Sequence, residues 1–124
     1  MEIAPLDCKI IEDLRALGGD DEPEFFQSVV EQFFEDAPVH IQTIHRAVKE
    51  SDQKTLTIAA QTLKGSARNL GAMPLSEICL LLEKCGRETQ LMEASSLLTK
   101  LDAEFSRVCE ALREESQNPS FPRS

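Results

Sequence analysis

The sequence predicts an all-α protein: an antiparallel up-down-up-down four-helix bundle with a short N-terminal capping helix. Three observations lead there. Apolar residues recur at spacings of three and four in five separate segments. Strand signals are nearly absent, because the 124 residues include no Trp and no Tyr and no stretch alternates cleanly with period two. The links between segments are only a few residues long, which favours antiparallel neighbours.

The first segment runs from about Asp7 to Leu17, with Ile10, Ile11, Leu14 and Leu17 apolar and Gly18-Gly19 as a stop. It is short, and we expect it to lie as a lid over one end of the bundle. Asp20-Asp21-Glu22-Pro23 is a start signal for the second helix, with Pro23 near its first turn. That helix carries Phe25, Phe26, Val29, Val30, Phe33 and Phe34, so it brings much of the core's aromatic volume. Pro38 interrupts the pattern, as a kink or a break, and Val39, Ile41, Ile44 and Val48 continue the apolar face towards Glu50. His40 and His45 lie on this continuation as surface or boundary residues, with no acid partner evident nearby.

Ser51-Asp52 makes a tight link in which either residue caps the third helix. There Leu56, Ala60, Leu63, Ala67 and Leu70 form one apolar stripe, and the helix ends at Gly71. Pro74 opens a fourth helix, with Leu75, Ile78, Cys79, Leu82 and Cys85 inward and a stop near Gly86. A fifth runs from about Leu91 to Glu114, its period held by Ala94, Leu98, Leu101, Phe105, Val108 and Leu112. The bundle therefore spans residues 1–115, and residues 116–124, rich in Gln, Asn, Pro and Ser, form a disordered tail.

Composition removes several classes of function. A formal charge of −9 and a pI near 4.7 argue against nucleic-acid binding. No apolar run approaches a membrane span, and the N-terminus has no secretory pattern, so a cytoplasmic protein is expected. Cys8, Cys79, Cys85 and Cys109 show no CxxC spacing and read as buried free thiols. No metal-ligand spacing, nucleotide-binding Gly-rich loop or Ser/His/Asp set is evident, so neither metal, cofactor nor enzymatic activity is expected.

The third helix has a second face. Ile58, Gln61, Gly65, Arg68 and Ala72 repeat at the same spacing, roughly 140–180° from the apolar stripe, and are expected to meet water. A mid-helix glycine costs about 1 kcal/mol relative to alanine. On an exposed face its remaining use is to let something approach the backbone closely. From Gln53 to Ser76 there is no acid, while Lys54, Lys64 and Arg68 are basic. A base-bearing face on an acidic chain suits an anion such as a phosphoryl group or a carboxylate.

Residues 59–72 resemble the signature of histidine-containing phosphotransfer (HPt) domains, the modules of multi-step phosphorelays. The matching residues are Ala60, Thr62, Leu63, Lys64, Gly65 and Ser66, then Asn69-Leu70-Gly71-Ala72. Downstream, Leu75, Cys79, Leu82, Glu83, Gly86 and Arg87 are similar to the family's next helix, and the likeness covers roughly residues 8–113. It implies the same bundle, monomeric, with response-regulator receiver domains and a hybrid histidine kinase as partners. It implies that Lys64 faces the phosphoryl group, with Gly65 and Arg68 beside it, and that Ile58, Gln61, Lys64, Gly65, Arg68 and Ala72 meet the partner.

One departure falls on the acceptor position, which Gln61 occupies. An imidazole nitrogen has a localised lone pair and attacks an acyl phosphate near neutral pH, whereas the amide nitrogen's lone pair is delocalised into its carbonyl. Gln61 hydrogen-bonds and fills a similar space but does not carry phosphate. The reading is a receiver-docking module that has lost phosphoryl acceptance, either as a natural pseudo-HPt or through a substituted histidine. The alternative is a helical-bundle scaffold with no phosphorelay partner.

Overall fold

The structure, a computed structural model, describes residues 4–18 and 24–117. Five helices occupy them, with no strand among the described residues: α1 (Cys8–Gly18), α2 (Phe25–Lys49), α3 (Gln53–Asn69), α4 (Met73–Arg87) and α5 (Leu91–Gln117). No helix among the described residues is long and apolar enough to cross a membrane. The Gly19 stop and the Asp20–Pro23 start signal lie outside the described residues, as do 118–124 of the expected tail. Ser116 and Gln117, read as tail, belong to α5.

The helix ends fix the topology. The Asp7 N–H donates to the Gly71 carbonyl at 2.8 Å. Arg15 donates to the carbonyl and the carboxylate of Glu115, at 2.9 and 3.0 Å, and lies 4.7 Å from the Phe26 ring centroid. The α1 region thus touches the start of α2, the end of α3 and the end of α5, as a lid over one end of the bundle. At the other end, the Thr89 hydroxyl, just past α4, donates to Gln53 at the start of α3, at 3.2 Å. Successive helices therefore run in opposite directions, up-down-up-down.

Apolar spacing explains what lies between them. Leu56, Ala60, Leu63, Ala67 and Leu70 are each at most 1% exposed, against Val30, Ile44, Leu75, Leu82, Leu101 and Leu112. Phe33 of α2 meets Phe105 of α5 with ring centroids 5.9 Å apart. Pro38 does not end α2, whose 25 residues continue through it to Lys49. Asp52 caps α3, accepting from the Thr55 N–H at 3.1 Å and the Thr55 hydroxyl at 2.7 Å. Those two hydrogen bonds hold its carboxyl below the usual range.

Two glycines are structural. Gly71 has φ +73°, and a Cβ there would lie 3.0 Å from Ile10 Cβ and 3.2 Å from the Asp7 carbonyl oxygen. Gly71→Ala is expected to cost roughly 1–3 kcal/mol, from backbone strain and the displacement of α1. An unchanged urea midpoint would contradict that. α4 stops near Gly86 as expected, at Arg87, but the glycine itself is not the terminator. It lies inside the helix, where a Cβ would clash with the Thr57 hydroxyl and stand 3.1 Å from the Gln53 carbonyl and the Thr57 nitrogen. Its role is to let α3 and α4 approach closely.

The thiols are free, but Cys8, the first residue of α1, is exposed, contrary to expectation. Cys79, Cys85 and Cys109 are buried as expected, and burial pushes the Cys79 thiol up to about 12.

Candidate phosphorelay docking face

α3 is amphipathic, so its outward face is fixed by the burial of its inward stripe. Gln61, Gly65 and Arg68 are exposed on that face, and Ile58 is 53% exposed beside them. Neither Gln61 nor Arg68 makes a side-chain hydrogen bond or ion pair among the described residues. A Cβ built on Gly65 meets no atom within 4 Å, so packing within the chain does not account for the glycine. Thr62 folds its hydroxyl back onto the Ile58 carbonyl at 2.9 Å, which satisfies it within the helix.

Ala72 does not belong to this face. It is fully buried, at the N-cap of α4. The helical phase that would have exposed it ends with α3 at Asn69, and the left-handed Gly71 turns the chain inward.

Lys64 is neither a solvated lysine nor an unpaired cation. Its side chain is 18% exposed, and its Nζ lies 2.6 Å from Oε1 of Glu83 on α4. Glu83 is 2% exposed and its Oε2 takes Arg87 at 2.5 Å, one turn further along α4. Both carboxylate oxygens therefore have cationic donors, which is what a buried charge requires. The network bridges α3 and α4 directly under the outward face and fixes where the Lys64 stem can go.

Sequence reasoning gave Glu83 and Arg87 no role of their own. The available signal was the phase of Glu83: Ser76, Cys79, Glu83 and Gly86 repeat at spacings of three and four, and all four are buried. An acid on an inward face needs a partner. His45 also differs from expectation, since its Nε2 lies 2.9 Å from Oδ1 of Asp102 on α5.

On the α2 side the face borders a groove of about 340 Å³, with Ser66, Asn69 and Leu70 on one wall and Val29, Gln32 and Phe33 on the other. Among the described residues, no group of three or more His, Cys, Asp or Glu is placed to hold a metal ion.

A sequence model of the Hpt domain family matches residues 28–114. The Multistep phosphorelay regulator 1 of Schizosaccharomyces pombe is 31% identical over 81 residues, covering 65% of this chain. The chain spans only 28% of the length of that relative. In three dimensions, the crystal structure of histidine-containing phosphotransfer protein B from Pseudomonas aeruginosa PAO1 superposes with a TM-score of 0.84 at 26% identity. That match covers 94% of this chain and 97% of the other.

Proposed function

This chain belongs to the Hpt domain family, and on that premise we propose that it is a phosphorelay module that docks receiver domains without accepting their phosphoryl group. The observation that carries the reading is the pairing of Gln61 with Gly65 one turn away. Position 61 is exposed where the family resemblance puts the acceptor histidine, and the space over Gly65 is open. Chemistry supplies the rest, because a primary amide is not a useful nucleophile towards an acyl phosphate. Ile58 offers apolar contact area, Arg68 a cation, and Lys64 a charge held in place by Glu83. The partners are response-regulator receiver domains, and a hybrid histidine kinase is the expected source of the signal.

Binding is tested by titrating the chain against a panel of receiver domains in a calorimeter. Gly65→Gln is expected to weaken any receiver that binds by tenfold or more. Its side chain would fill the space a partner needs, and nothing within the chain would be displaced. Circular dichroism and melting are expected to remain close to those of the parent, since helix propensity if anything improves. Equal affinity before and after the change would show that this face is not the interface.

A further inference from the structure

Resting on the docking reading above, we propose that this face reads the phosphorylation state of its partner: it binds a receiver bearing an aspartyl phosphate more tightly than the same receiver without one, and leaves the group where it is. Three features of the face support this.

The first is charge. Lys64, Arg68 and Arg87 are set against one carboxylate, Glu83, leaving two positive charges in excess. The carboxylate is the deep member, at 2% exposure, whereas the Arg87 side chain is 61% exposed and Arg68 is exposed without an ion pair among the described residues. The cations of this cluster therefore lie outermost, on a chain of formal charge −9, with Asp36 of α2 the acid that lines the adjoining groove. No Asp or Glu lies between Gln53 and Ser76 to cancel them.

The second is the hydrogen-bonding capacity of Gln61. Its amide N–H groups have no acceptor among the described residues, so they are available to a phosphoryl oxygen. A histidine in that place would attack phosphorus and break the bond between phosphorus and the aspartyl oxygen. The amide nitrogen's lone pair is delocalised into its carbonyl, so no bond to phosphorus forms and the acyl phosphate is retained. Loss of transfer thus leaves a face able to recognise the group and unable to remove it. The third is the open space over Gly65, which lets a bulky anionic site come down onto the helix.

Phosphorylation adds about one unit of negative charge at the receiver's aspartate. Close to a surplus of two positive charges, even at the dielectric of water, that is worth on the order of tenfold in affinity.

The test measures affinity for each receiver of a panel in Mg²⁺ alone and in Mg²⁺ with beryllofluoride, which mounts a tetrahedral phosphoryl mimic on the aspartate. The expected result is about tenfold tighter binding with beryllofluoride. Arg68→Ala is expected to narrow that ratio. Gln61→Glu, which keeps the shape and exchanges N–H donors for a carboxylate, is expected to remove or reverse it. Both positions are exposed, and folding is checked by melting. Equal affinity for the two forms overturns the inference while the docking reading stands. A preference that neither substitution moves also overturns it, because the discrimination then lies elsewhere. If no receiver binds in either form, both readings fall.

Discussion

Replacing Gln61 by histidine is expected to turn a chain that takes no phosphate into one that does. The parent chain, incubated with phosphorylated receivers, is expected to show no acid-labile phosphate. His45 has its Nε2 engaged with Asp102 on the α2–α5 side, and neither it nor His40 lies on α3. Gln61→His places an imidazole on the exposed face, with Gly65 one turn on and the Lys64 stem fixed by Glu83. The family resemblance implies that the receiver brings the metal ion and the aspartate, so this domain need only supply a positioned nucleophile. Because the parent rate is set by an amide with no usable lone pair, the gain is from background to a readable signal. A gel that preserves phosphohistidine reads the result. Should the substituted chain bind a phosphorylated receiver while no phosphate moves, more than one residue has been lost from the site.

The features legible in the sequence were those carried by spacing within one helix. The stripe from Leu56 to Leu70, the exposure of Gln61, Gly65 and Arg68, and the lid at the N-terminus all follow from a 3.6-residue period and short links. The errors arise where a period was carried past its helix or where a partner lies far along the chain. Ala72 kept the spacing of the exposed face but fell beyond the end of α3. Gly86 marks the end of α4 to within one residue, but its use at a helix–helix contact is invisible without its neighbour, Thr57. His45 and Asp102 stand 57 residues apart, so no local pattern joins them. Lys64 and Glu83 are separated by 19 residues and by a turn. The sequence supplied the motif around Lys64, whereas only the packing of α3 on α4 reveals what holds its ammonium group.

That packing makes Lys64→Met a destabilising change as well as one in the proposed docking face. On an exposed lysine the substitution would be within about 0.5 kcal/mol of neutral. Here it removes one of the two cations bonded to a carboxylate that is 2% exposed. Removing the partner of a buried charge costs about 3–5 kcal/mol when the charge is left uncompensated. Arg87 remains, so the loss is closer to that of one charge-assisted hydrogen bond plus partial desolvation, about 2 kcal/mol. For a domain of this size, that lowers the melting temperature by roughly 8 °C. Removing the half-paired acid as well separates the pair from a simple packing effect. Lys64→Met with Glu83→Gln is expected to melt above Lys64→Met alone, since an amide loses far less on burial than a carboxylate. The coupling is read as the non-additivity of the double-mutant cycle, followed by urea denaturation. If Lys64→Met melts with the parent, the bridge to Glu83 contributes nothing to stability in solution, and the lysine is then free to turn outward to a partner's anion. A large loss with strong coupling to Glu83 means that the cation beside position 61 is held in place by the fold before any partner arrives.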